Sequence, residues 1–310
     1  MTSQPMKPLR LHGLVAAPFA PFNKEGDVDC SLVSAYASLL KENGVVGVFV
    51  NGTSGESHSL TVEERKEIAE AWMRESSNSF SIMLHVGHAS IKECEKLARH
   101  AHDIGGAAFG TMAPIFFKPS SLHGLVDHCA KEANFAADLP YYYYHIPQMS
   151  GVDFSMRDFL ELAGKQIPNL AGIKFSKVDP ADLKASMDYN GGKYEIMHGN
   201  DESLIIGLVL GAKAAIGSTY SFAAPLYNQI IDHFNAGRIK QARECQRDAI
   251  LMVRELFKSG SLLAACKFVM KEIGIDLGPV RSPLQDLDAS EKGTLRTRLE
   301  SLGFFSYSCK

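Results

Sequence analysis

Eight short apolar, β-rich runs recur along this chain at regular intervals, and their spacing constrains the fold more than any other feature. They are LHGLVAAPF (11–19), GVVGVFVNG (44–52), SIMLHVG (81–87), GAAFGTMAP (106–114), LPYYYYHIP (139–147), LAGIKFS (170–176), YEIMHG (194–199) and AKAAIGST (212–219). Segments of helical character lie between most of them. SLVSAYASLLKEN (31–43) has apolar residues at three- and four-residue spacing. TVEERKEIAEAWMRES (61–76) opens with Thr61 and Glu64 in a capping-box pattern. IKECEKLARHAHDIG (91–105) ends in glycine, and DESLIIGLVLGA (201–212) follows the seventh run. Strands alternating with helices imply a parallel sheet, and near-continuous apolar strands imply a sheet covered on both faces. Eight such units predict an α/β fold, a closed (β/α)8 TIM barrel. No GxGxxG follows the first run, which weakens the open dinucleotide-binding alternative. Residues 223–310 read as helices beyond what closure needs. We therefore expect a barrel region over 1–222 and a C-terminal helical extension over 223–310, packed on it as one structural domain.

Bulk properties remove several classes of function. The chain has 310 residues and a formal net charge of −3, with no run of basic residues. Neither a nucleic-acid partner nor a membrane surface is expected. No stretch of 18 apolar residues occurs, so no transmembrane helix is expected. The N-terminal MTSQPMKPLRLHG has no apolar core of the kind a secretory signal needs. The six cysteines form no CxxC pair, which predicts reduced thiols in a cytoplasmic protein and no structural zinc site.

Barrel enzymes place their chemistry at the C-terminal ends of the strands, so polar side chains there are the candidates. Lys174 stands inside LAGIKF, where an ammonium group is costly to bury. Alternation puts it on the face of Leu170, Gly172 and Ser176, and leaves Ala171, Ile173 and Phe175 for the outside. Either Lys174 snorkels to the rim or pairs with a carboxylate, or its neutral amine is wanted as a Schiff-base nucleophile. Of the four tyrosines in YYYYHIP, Tyr142 and Tyr144 share one face. Tyr144 at the mouth would stand one strand from Lys174, able to relay protons. His145 should face outward as a packing residue.

Thr53 and Ser54 in NGTSGES lie between glycines, where hydroxyls and N–H groups can converge on a carboxylate, although such clusters are often plain turns. In HGNDES, Asp201 and Glu202 begin a helix, either as capping acids or as acceptors for substrate hydroxyls. A metal site from His198, Asp201 and Glu202 is not expected, because adjacent carboxylates do not converge naturally on one ion. Ser218 and Thr219 arrive at the same mouth from the eighth run.

GTSGE after the second run, Tyr144 in YxxP, GIKFS and GST, in this order, resemble the dihydrodipicolinate synthase and N-acetylneuraminate lyase superfamily of Schiff-base aldolases across nearly the whole chain. YYYYHIP, IKFS and GNDE resemble its N-acetylneuraminate lyase (sialic acid aldolase) branch. Synthase members usually carry an arginine shortly after the fifth-strand proline, and here Gln148, Met149, Ser150 and Gly151 follow Pro147. The resemblance implies reversible cleavage of N-acetylneuraminate to N-acetylmannosamine and pyruvate. Lys174 would form the imine and Tyr144 would move the proton. Thr53 and Ser54 would hold the carboxylate, while Ser176, Gly199, Asp201, Glu202 and Ser218 would hold the sugar end. It implies no cofactor, small-molecule substrates as partners, and a homotetramer. The alternatives are another pyruvate-dependent class I aldolase acting on a sugar acid or keto acid, and a barrel that binds such acids without turnover.

Overall fold

The structure, a computed structural model, describes residues 8–310. The reading of the N-terminal segment falls mostly on residues 1–7, outside the described residues. Eight parallel strands close into a barrel in sequence order. They are β1 (Gly13–Ala16), β2 (Val45–Val50), β3 (Ser81–His85), β4 (Ala108–Met112), β5 (Tyr141–His145), β6 (Leu170–Phe175), β7 (Glu195–His198) and β8 (Ala214–Gly217). Each lies within one of the eight apolar runs. Closure comes from β8 pairing back onto β1, Gly13 with Ala214 through Ala16 with Gly217.

Helices α1 (Val33–Glu42), α2 (Val62–Met73), α3 (Ile91–Asp103) and α4 (Leu122–Asn134) follow β1 to β4 in turn. After β5 comes the single turn α5 (Pro147–Ser150), then α6 (Met156–Gln166); α7 (Pro180–Asp188) and α8 (Leu204–Leu210) follow β6 and β7. The capping box at Thr61 and Glu64 forms at the start of α2. α9 (Tyr220–Asn235) follows β8, and α10 (Ile239–Phe257), α11 (Leu262–Glu272) and α12 (Ala289–Ser301) make the C-terminal extension. Among the described residues no helix is long and apolar enough to cross a membrane.

Two apolar clusters separate the faces of the sheet. The larger lies between strands and helices and includes Tyr141, Tyr143, Ile173 and Phe175. The smaller fills the barrel with Val15, Phe49, Met83, Tyr142, Tyr144 and Met197. One alternation departs from expectation. Leu170 belongs to the outer cluster and Ala171 to the inner one. The pairing of β5 with β6 shifts register between Tyr141 and Tyr142, so parity breaks at the strand's entry. It is restored by Ile173, and Lys174 still points inward. At the closed end of the barrel, Glu195 accepts hydrogen bonds from the Tyr142 hydroxyl (2.6 Å) and from the Arg10 and Leu11 amides. The N-terminal strand entry thereby plugs that end, and the opposite end is left for the site.

Candidate active site

Lys174 and Tyr144 are direct neighbours across β5 and β6. Lys174 is 5% exposed, with Nζ 3.9 Å from the centre of the Tyr144 ring and 4.8 Å from that of Phe49. Among the described residues, no carboxylate stands within ion-pair distance of this amine. A carboxylate would pin it as an ammonium ion, whereas ring faces hold a cation more weakly. The pairing and snorkelling alternatives for Lys174 therefore lose their support. Phe49 and His85 both meet the Tyr144 ring edge-on, at 5.7 and 6.2 Å between centroids. The phenol is thus held by packing on two sides, and its hydroxyl lies 3.4 Å from Thr53 Oγ1.

The loop after β2 brings Thr53 and Ser54 over the barrel mouth. Ser54 Oγ lies 2.5 Å from Ser218 Oγ, so the ends of β2 and β8 are tied across the opening. On one flank the loop is held by Asn51, in the left-handed region at φ 58°, whose amide donates to the Arg65 carbonyl. Arg65 in turn donates to the carbonyls of His85 and Gly87 at the end of β3. On the other flank Glu56 forms an ion pair with Lys267 of α11 at 2.9 Å. Both side chains are almost fully buried, and burial pushes the Lys267 amine down while Glu56 pulls it up.

Asp201 and Glu202 stand in a short turn before α8, and neither caps a helix. Instead, Asp201 Oδ2 accepts from the Thr219 amide at 2.9 Å and from its hydroxyl at 2.6 Å. Burial raises the Asp201 carboxyl above its usual range, and the Thr219 bonds and the Lys174 charge oppose that rise. Burial, then the neighbouring Asp201 charge, raises Glu202 as well. Gly217 is required beneath Asp201, because a Cβ there would meet its Oδ1 at 1.9 Å. Gly199 similarly makes room for Ser176, whose Oγ would lie 2.2 Å from an added Cβ. Among the described residues that buried Ser176 hydroxyl has no hydrogen-bond partner.

All nine candidates, Lys174, Tyr144, Thr53, Ser54, Ser176, Gly199, Asp201, Glu202 and Ser218, line one pocket of about 870 Å³. His198 does not join them. Its Nε2 lies 3.0 Å from Ser203 Oγ, and its ring packs against Gly207 of α8. His198, Asp201 and Glu202 therefore do not converge, and no cluster able to hold a metal occurs among the described residues. His145 packs outward between Tyr143 and Phe175.

Sequence reasoning missed the upper wall of the pocket. Val253 and Phe257 of α10, Leu262 and Leu263 of α11, and Leu284 and Leu287 of the following loop line the same cavity as Lys174. No local pattern marks these residues, because only the docking of the extension brings them over the mouth. Lys267 was missed too, although an amine inside LLAACKFVM repeats the signal of Lys174.

Residues 10–302 match the model of the dihydrodipicolinate synthetase family. The chain is 35% identical over 302 residues to the N-acetylneuraminate lyase of Rattus norvegicus, covering 96% of this chain and 94% of the relative. It is similar in structure to the N-acetylneuraminate lyase of Proteus mirabilis, with a TM-score of 0.91 and 40% identity, covering 95% of this chain and 99% of the other. The native N-acetylneuraminate lyase (sialic acid aldolase) of Aliivibrio salmonicida gives a TM-score of 0.91 at 38% identity, covering 95% and 97%.

Proposed function

The chain belongs to the dihydrodipicolinate synthetase family, and from that premise we propose that it is a class I, carbon–carbon lyase that cleaves N-acetylneuraminate to N-acetylmannosamine and pyruvate. Lys174 is the single observation that carries the reading. It is a buried, carboxylate-free amine at the catalytic end of a barrel, against the Tyr144 ring, in a chain 35–40% identical to lyases of this activity.

In the proposed mechanism Lys174 Nζ adds to the 2-keto carbon of the open-chain acid, and water leaves to give a protonated imine. Tyr144 gives its phenolic proton in the step that forms the protonated imine and water, and its phenoxide then takes the proton of the C4 hydroxyl as the C3–C4 bond breaks. The bond's electron pair moves toward the imine nitrogen, leaving the aldehyde of N-acetylmannosamine and an enamine of pyruvate. Protonation at C3 and hydrolysis release pyruvate and restore the free amine. Thr53 and Ser54 hold the carboxylate and so set the keto carbon over Lys174. Ser176, the Gly199 backbone, Asp201, Glu202 and Ser218 meet the polyol. The unpartnered Ser176 hydroxyl supports that assignment, since a buried hydroxyl without a partner is one that a ligand can satisfy. Ser218 is best read as a shared group, because it already bonds Ser54.

The reaction is tested by incubating the protein with N-acetylneuraminate and measuring pyruvate release. Borohydride with pyruvate should trap a covalent adduct on the native chain and none on Lys174→Met. No pyruvate release would reject the substrate, and an adduct on the Met variant would reject the lysine. The family resemblance further suggests a homotetramer. The exposed, mutually packed Phe116 and Phe117 on the loop after β4 support contact between copies. Sedimentation of Phe116→Ser/Phe117→Ser would test it by a fall in mass. Six unpaired thiols support a reducing, cytoplasmic location.

A further inference from the structure

Among the described residues two lysines are buried in apolar runs, and they have opposite surroundings. Lys174 faces the pocket with no carboxylate within ion-pair distance among the described residues. Lys267 lies 2.9 Å from Glu56 Oε1, with the two side chains 3% and 1% exposed. Its Nζ also donates to the Pro279 carbonyl at 2.7 Å and sits 4.1 Å from the centre of the Phe22 ring. Glu56 uses its second oxygen, Oε2, to accept from the Arg281 amide at 2.9 Å. The Arg281 guanidinium then pairs with Glu64 of α2 and donates to the Gly26 and Ser59 carbonyls. One carboxylate therefore joins the loop after β2, helix α11 and the segment leading to α12.

Burying two charges costs desolvation that their attraction seldom exceeds, so an apolar pair of like volume would serve bare stability as well. A charge pair with directional partners offers register instead. Glu56 is three residues from Thr53, in the left-handed region at φ 49°, and its amide donates to the Thr53 carbonyl at 3.1 Å. Any displacement of Glu56 moves that turn, and with it the hydroxyls of Thr53 and Ser54. We propose that Glu56 and Lys267 are positioning residues whose buried ion pair sets the height of Thr53 and Ser54 at the barrel mouth, so that the C-terminal extension takes part in holding the keto acid's carboxylate. This deepens the lyase reading and rests on it.

The test uses the full chain, with pyruvate and borohydride. Glu56→Gln/Lys267→Met removes both charges together, so neither is left buried alone. A thermal melt establishes that the double variant is folded, and Lys267→Met alone is expected to be the less stable of the two. In the double variant the pyruvate concentration giving half-maximal trapping should rise roughly ten- to hundredfold, the scale expected when a binding group is misplaced by about 1 Å. The limiting trapping rate should fall far less, because Lys174 and Tyr144 stand on other strands. A purely structural pair would lower the melting temperature and leave half-saturation where it was. That result in a folded double variant overturns the proposal and spares the lyase reading. Failure of the native chain to trap pyruvate overturns both.

Discussion

Tyr144→Phe separates chemistry from packing in this site. The substitution removes one oxygen whose polar neighbour, Thr53 Oγ1, lies 3.4 Å away, at the outer limit of a hydrogen bond. Its stability cost should stay below about 1 kcal/mol. The ring keeps its edge contacts with Phe49 and His85 and stays beneath Lys174 Nζ. Only proton transfer is then lost. A positioned general acid–base contributes about 10²- to 10⁴-fold, so kcat should fall by that factor, or about 3–5 kcal/mol of barrier. Pyruvate release can be followed by a coupled lactate dehydrogenase assay, with melts recorded in parallel. Borohydride trapping of pyruvate should persist, because the amine is intact. A kcat within about threefold of the native value would refute Tyr144 as the proton carrier. Loss of trapping would move the phenol's role to the amine itself.

Three further outcomes are expected. Asp201→Ala should raise KM for N-acetylneuraminate at least roughly tenfold and leave pyruvate trapping largely intact. It should also cost about 1–3 kcal/mol of stability, because two Thr219 donors lose their acceptor; abolished trapping would show that Asp201 serves Lys174 instead. Burial holds the imidazole of His145 down at about 4, and neither ring nitrogen has a hydrogen-bond partner among the described residues. The unfolded histidine takes up its proton near the usual 6.5, so this contribution is full above that pH, declines as pH falls and is exhausted below about 4. Between pH 7 and 5 the loss is about 2 kcal/mol, and denaturant titration of His145→Phe should show that loss removed; an undiminished loss would acquit His145. EDTA should leave kcat unchanged, because His198 turns to Ser203 and away from the pocket; inactivation reversed by a divalent cation would revive a metal site.

Most of the barrel was legible because its signals are local. Apolar runs of strand length, alternation within each and helical periodicity between them follow from the chain's own chemistry, without any partner. The same locality explains Lys174 and Tyr144: one parity rule and one rule about strand ends place both at the mouth. Parity failed at Leu170 and Ala171, where the shift depends on how β5 meets β6 and not on either strand alone.

What the sequence could not decide was which polar groups meet each other. Asp201 reads either as a capping acid or as an acceptor for substrate hydroxyls, and nothing local shows that it binds Thr219, eighteen residues away across β8. Ser54 and Ser218 are 164 residues apart and share a hydrogen bond. Glu56 and Lys267 each look anomalous in isolation, one an acid in a glycine turn and the other an amine in an apolar helix, and they explain one another only once α11 docks. Backbone pattern and the burial of apolar area depend on neighbours a few residues apart, so the amino-acid order alone determines the barrel and the lysine inside it. Compensation of buried charge depends on whatever long-range closure brings near. It was therefore tertiary structure that left Lys174 without a carboxylate and supplied one to Lys267.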